Sequence, residues 1–227
     1  NGVRVMTNKN GTFLNSGILP SLGYNSGAEL NSKKLRKKHD LPKKEIENRR
    51  DDVEAVKNNF ITDDADFVRL SVQISTSEDQ TALAPGYCKK QWTENGRNYF
   101  QYASDVPVIN FFAVLSAKYE LVEDKWTPED SAQNPVAIKV YYHMGHEYNI
   151  QNIIDGVKAS LSYYSKNYCE YPHPELKIIE FPRYGSFAQS FPAMIPFSEG
   201  LGFIADLREK EDEDIDFADL KIDYPFW

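Results

Sequence analysis

The alternation of apolar and polar residues predicts strands through the middle of this chain and a mixed strand and helix pattern towards its end. Residues Phe67 to Ile74 alternate with period two, as a half-buried strand does. Asn95-Gly96 lies between Gln91-Trp92 and the run Tyr99 to Tyr102, and Asn10-Gly11 lies between Val3 to Met6 and Thr12 to Leu14. Asn-Gly between short apolar runs predicts a hairpin, because both residues tolerate the left-handed backbone that a tight turn needs. Asn110 to Leu115 is nearly continuous in apolar residues and is expected to be buried. Several short strands separated by turn signals predict a β-sandwich or a large part of one.

Beyond a charged stretch at 121–135, which carries Pro128 and Pro135 and reads as a linker, the pattern changes. Val136 to Tyr142 predicts another strand. Ile150, Ile153, Ile154, Val157, Leu161 and Tyr164 then recur at helical spacing along one face. Leu176 to Phe181 predicts a strand closed by Pro182. Phe187 to Phe203 is apolar but contains Pro192 and Pro196, which favour an extended edge segment over a central strand. The expected fold is therefore α+β and rich in β structure.

Composition narrows the function classes. The chain has 227 residues and a net charge of -8, an acidic balance that argues against nucleic acid as the main partner. Residues 33–50 carry nine Lys or Arg against three acids, yet no aromatic residues interleave them, so they read as a solvated face. Pro42 after Asp40-Leu41 predicts a helix starting near 42 and running towards Phe60. No run of about 18 apolar residues exists, so no membrane contact is expected from this segment itself. Cys88 and Cys169 cannot form a disulfide framework. The start, Asn1-Gly2-Val3, has neither an initiator Met nor a signal pattern and is read as a processed or excised end. The tail from Asp206 to Asp219 holds eight acids and two bases and is read as a solvated loop.

Candidate chemistry is sparse. His143-Met144-Gly145-His146-Glu147 groups two imidazoles and a carboxylate. A zinc peptidase helix instead needs His-Glu-x-x-His, which sets both imidazoles on one face beside the Glu. With Gly145 at a strand-to-helix turn, capping and hydrogen bonding is the better reading of this group. Cys169 and His173 show no orienting third group or oxyanion hole. There is no nucleophile elbow, P-loop or dinucleotide fingerprint. What remains is the proline-marked path from Arg183 to Glu199. It is read either as a covered edge strand or as an edge with free backbone groups that adds a peptide as a further strand.

At this path the chain resembles the zinc metallopeptidases of the aminopeptidase N and leukotriene hydrolase family. Their hallmark, Gly-Ala-Met-Glu-Asn-Pro-Gly-Leu-Ile-Thr-Tyr, corresponds in place to Ala188-Gln189-Ser190-Phe191-Pro192-Ala193-Met194-Ile195-Pro196-Phe197. Tyr171-Pro172-His173-Pro174, the amphipathic helix and the 176–181 strand follow the family's order, and 100–119 is similar to the last strands of its N-terminal β-domain. The stretch Phe181 to Pro192 is most similar to peptidase-like domains of bacterial fusions with ABC transporter permeases. The resemblance implies a partial β-sandwich domain at 1–127, with a charged insert at 31–60. The opening sheet and helix of a thermolysin-like catalytic domain would follow at 134–227. It also implies that Ser186, Phe187, Ala188, Gln189, Ser190, Phe191 and Pro192 line the substrate cleft through backbone contacts.

Two departures from the family shape the functional expectation. The hallmark Glu, which holds the substrate's free amino group, corresponds to Ser190, and a neutral hydroxyl cannot replace that charge-assisted bond. The family's His-Glu-x-x-His motif is not in this sequence, so zinc is expected in a longer parent and not in this chain, which alone would be inactive. The leading reading is a fragment of a zinc-dependent aminopeptidase-like protein, partnered by peptide substrate and by the remainder of the parent. The alternative is a non-catalytic peptide- or protein-binding domain of a transporter. Either way a soluble domain of a bacterial membrane-associated protein is implied, and the uncovered faces of a divided domain predict self-association.

Overall fold

In the computed structural model, residues 5–8, 11–20, 29–44, 51–53, 66–129, 133–183 and 185–204 are described. The first hairpin pairs β1 (Val5–Asn8) with β2 (Gly11–Asn15), Asn8 opposite Gly11. Next comes α1 (Lys33–Lys38), capped by the Ser32 hydroxyl, which accepts from Leu35 N at 3.5 Å. The helix expected to begin near 42 is not formed at 41–44, and its remainder falls outside the described residues apart from 51–53. The reason is local. Asp40 enters the left-handed region at φ 52°, and the Pro42 carbonyl is held by Arg36 Nε at 2.8 Å, so Pro42 closes α1 rather than opening a helix.

Strands then follow in quick succession: β3 (Phe67–Val68), β4 (Ser71–Ser77), β5 (Thr81–Leu83), β6 (Tyr87–Glu94), β7 (Arg97–Ala103), β8 (Val108–Ile109) and β9 (Ala113–Ala117). β6 and β7 are joined by Asn95-Gly96, with φ 50° and 72°, the left-handed pair that a two-residue hairpin needs. Among the described residues three antiparallel sheets result, in the orders β1-β2-β9-β5, β4-β7-β6 and β3-β8.

The fourth sheet positions the site. It runs in the order β10 (Tyr119–Trp126), β11 (Val136–His143), β12 (Glu175–Phe181), β13 (Met194–Ser198). β10 pairs antiparallel with β11 from Tyr119↔His143 to Trp126↔Val136. Residues 121–126, expected within a linker, are therefore strand. Their charges sit on an outer strand of the sheet while Trp126 is buried against the core. The expected division between 127 and 134 falls in the connection between these two fully paired strands. β11, β12 and β13 are mutually parallel, with α2 (Ile150–Asn167) crossing over from β11 to β12.

Both faces of β12 are covered. Ile179 and Phe181 enter a core with Phe13, Leu83, Phe100 and Leu115 from the antiparallel strands, so these layers share one apolar interior. Leu176 and Ile178 face the other way and pack under Ile153, Ile154, Val157 and Leu161 of α2. Each such side chain, removed from water, contributes about 1.5–3 kcal/mol as an upper bound. A strand covered on both faces is apolar along most of its length, and 176–181 is apolar except at Lys177 and Glu180. Short α3 (Glu199–Gly202) follows β13, and its Gly202 carbonyl accepts from the Asn149 side chain at the start of α2.

Candidate functional site

After β12 the chain leaves the sheet and comes back beside β13. Gln189 N donates to Pro196 O at 3.1 Å, Ser198 N to Phe187 O at 3.1 Å, and Phe191 N to Met194 O at 2.8 Å. Segment 187–191 thus lies antiparallel on the outer side of β13, through two isolated bridges rather than a continuous strand. Pro192-Ala193 makes the turn, with Ala193 at φ 58° in the position where the family hallmark carries Gly. Pro196 has no N–H to offer. Its carbonyl faces Gln189, so the missing donor is on that side as well and the ladder from β13 to β12 is kept.

The seven expected peptide contacts divide by environment. Phe191 is 6% exposed and its ring packs 5.2 Å from that of Phe111. Phe187 is half-buried, 4.8 Å from Phe181 and 5.9 Å from Phe13 between ring centroids. These two rings anchor the segment to the antiparallel core. Ser186 and Ser190 are exposed, and Ala188, Gln189 and Pro192 are half-buried. Because Gln189 and Phe191 turn their N–H groups towards β13, those of Ala188 and Ser190 alternate to the open side.

Beside this edge lies a cavity of about 330 Å³ whose wall includes Tyr171, His173, Leu176, Ser190, Phe191 and Pro192. His173 Nδ1 is 2.8 Å from Tyr87 Oη, which ties the cavity floor to β6. Burial holds His173 below the ordinary imidazole range, helped by the charge of Lys177. A second, more apolar cavity of about 270 Å³ adjoins it, sharing Tyr171, Pro172, Leu176 and Ile195, and extends between α2, β12 and β13, where Val157, Leu161, Ile178 and Phe197 line it.

The carboxyl ends of the three parallel strands converge on a second cluster. β11 ends at His143, and the turn after it carries His146, whose N–H donates to His143 O at 3.0 Å. Gly145, at φ 90°, donates to Glu147 Oε1 at 3.1 Å, the turn hydrogen bonding expected of this motif. His146 Nδ1 meets Glu180 Oε1 of β12, and Glu180 Oε2 accepts from His143 N at 2.7 Å. Glu199, the first residue of α3 directly after β13, completes the group. One ligand atom from each of His146, Glu180 and Glu199 lies within 4.8 Å of the others. Glu180 is fully buried, and burial pushes its carboxyl up to about 7 against the lowering effect of its hydrogen bonds. His143, 9% exposed and packed between Tyr119 and His146, is pushed down to about 4 by burial.

The sequence motif thus contributed His146 to a polar cluster whose carboxylates come from elsewhere. Glu180 and Glu199 stand 34 and 53 residues beyond it in the chain, so no spacing pattern marked them. The available signal was Glu180 itself, a carboxylate within the largely apolar run 176–181.

With this geometry in view, comparison with known proteins is informative at the level of fold. No protein-family model matches the chain, and no curated protein sequence does. Solved structures do. Aminopeptidase A from Legionella pneumophila, crystallised with aspartic acid, superposes with a TM-score of 0.55 and 14% identity, over 60% of this chain and 16% of that one. M1 zinc metallopeptidase from Deinococcus radiodurans gives a TM-score of 0.51 and 14% identity, over 59% of this chain and 31% of that one. The chain therefore has a fold shared with part of the M1 zinc aminopeptidases, and spans under a third of the length of either. The 227 residues contain no His-Glu-x-x-His, so the zinc motif of that family is not in this chain. Among the described residues no helix is long and apolar enough to cross a membrane.

Proposed function

We propose that this chain is part of a zinc-dependent aminopeptidase-like protein and that the outer edge of 187–191 holds an extended peptide. The observation that carries the proposal is the hairpin: a segment anchored inward by Phe187 and Phe191 turns the backbone groups of Ala188 and Ser190 outward beside a cavity. An edge of that kind takes up a peptide by strand addition, with main-chain hydrogen bonds for affinity and the cavity for one side chain. The shared fold supports the assignment to the aminopeptidase class. The zinc ligands would come from outside these residues, in a longer parent chain.

The test is a titration of the isotopically labelled chain with a short oligoalanine peptide, acetylated at its amino end and amidated at its carboxyl end, followed by amide chemical shifts. Shifts centred on Ala188 and Ser190 are expected. Ser190→Pro removes one outward N–H while leaving the inward bonds of Gln189 and Phe191, so affinity should fall about tenfold, the worth of one hydrogen bond. Binding elsewhere, or unchanged binding by the variant, would remove the edge from consideration.

A second reading has one observation in its favour. Ser190 stands where the family has the Glu that holds a substrate's amino group, which fits a non-catalytic peptide-binding domain, as in a transporter fusion. The two readings part on the parent sequence. A His-Glu-x-x-His motif with a further Glu beyond it supports the peptidase, and its absence there supports the binding domain.

A further inference from the structure

The cluster at the carboxyl ends of β11, β12 and β13 has a composition that the peptide edge does not use. Parallel topology brings these three strand ends to one side of the sheet, the side at which α/β sheets bind ligands. We propose that His146, Glu180 and Glu199 bind one first-row divalent cation, of the Zn2+ or Mn2+ class. The proposal is independent of the peptidase reading, since these residues are not a His-Glu-x-x-His set.

The donor set is the first argument. One imidazole and two carboxylates suit a borderline metal, for which nitrogen and oxygen ligands at about 2.0–2.2 Å are typical. Donors at that distance from a common ion are roughly 3–4 Å apart. The three ligand atoms already lie within 4.8 Å of one another, so small side-chain rotations would admit the ion. The ion would take the place of the hydrogen bond between His146 Nδ1 and Glu180 Oε1.

Orientation and access are the second argument. Glu180 Oε2 is fixed by the backbone N–H of His143 at 2.7 Å, which holds Oε1 towards the cluster, the kind of outer contact that orients metal-ligating carboxylates. Glu199 Oε1 accepts from Arg183 N at 3.1 Å, with Arg183 Nε at 3.8 Å. The Glu180 side chain is 0% exposed, whereas those of Glu199 and His146 are 15% and 25% exposed, so the group is deep on one side and reachable on the other.

A third observation is independent of the ligands. His143 is buried, its Nε2 has no hydrogen-bond partner among the described residues, and its ring centroid is 6.1 Å from that of His146. Buried polar atoms in native proteins are nearly always satisfied. Water coordinated to a cation at the cluster would supply a partner.

The experiment is equilibrium dialysis of the full chain against Zn2+ at neutral pH, with metal counted per chain and Tm read with Zn2+ and with EDTA. His146→Gln and Glu199→Gln are compared with the wild type. Both sit towards the accessible side, and equal Tm values in EDTA establish that they fold. The count should fall by one equivalent in each variant, and the Zn2+-dependent rise in Tm should disappear. The comparison of counts also separates this site from adventitious binding at the exposed thiols of Cys88 and Cys169. No bound zinc in the wild type, or the same count in wild type and both variants, would overturn the proposal.

Discussion

Strand β12 carries two buried ionisable residues three positions apart, and they sit in opposite situations. Lys177 is 1% exposed on the face towards the antiparallel sheets. Its ammonium donates to Gly86 O and to Glu175 Oε1 at 3.1 Å, and lies 5.1 Å from the Tyr102 ring centroid. Glu180, 0% exposed on the other face, meets an imidazole and a backbone N–H, with a second carboxylate close by. One end of the strand balances its charge within the protein and the other gathers negative charge. Burial depresses Lys177 in spite of Glu175, whereas Glu175 stays below the ordinary carboxylate range because Lys177 and Lys139 outweigh its burial. The two shifts are consistent because the Lys177 side chain is the deeper partner, 2% exposed against 16%. A buried charge therefore acts as a structural tie where partners match it, and as a candidate ligand site where they do not.

The largest effect expected from this comparison is at Lys177. Lys177→Ala leaves Gly86 O and part of Glu175 without their donor and should cost about 3–5 kcal/mol, the usual loss when one partner of a buried pair is removed. Chemical denaturation measures it directly. A loss below about 1 kcal/mol would mean that the antiparallel layers do not depend on this tie.

Glu175→Gln comes next, at about 1.5–3 kcal/mol near neutral pH, the range for hydrogen bonds to charged groups. Its sign with pH is definite. The folded carboxyl sits below its ordinary 4.5, so its contribution is present above that pH and is lost as pH falls through the folded value. The Tm difference between variant and wild type should shrink steadily below pH 4.5. A difference constant with pH would assign the loss to packing instead of charge.

The smallest effect is at the other end of the strand. In EDTA, Glu180→Gln should lie within about 1 kcal/mol of the wild type, since Gln retains an acceptor for His143 N and removes the cost of a buried charge. A loss as large as that of Lys177→Ala would make the two ends equivalent and the comparison empty.

Much of the local structure was legible in the residues. The stripe Ile150, Ile153, Ile154, Val157 and Leu161 is buried as its spacing predicts, although Tyr164, on the same stripe, is 44% exposed because it lies towards the end of α2, at the apolar cavity. Asn95-Gly96 makes the turn its side chains allow. Strand β10 was not legible, because Glu120, Glu123 and Lys125 face water and only Trp126 is fully buried, leaving a composition that resembles a linker. Segment 187–191 was legible as a proline-marked extended path, but not as a segment folded back on β13, since that depends on backbone bonds between residues of similar composition.

The sequence by itself determined many of the strands, the long helix and the Asn-Gly turns, though not β10 or the end of α1 at Pro42, because periodicity, Asn-Gly pairs and prolines act over a few residues. Only the tertiary structure decided that β10 joins the sheet of β11, that Lys177 reaches the carbonyl of Gly86, and that His146, Glu180 and Glu199 meet. Those are meetings of residues 19 to 91 positions apart or of whole strands, and strand order, not local pattern, brings them together.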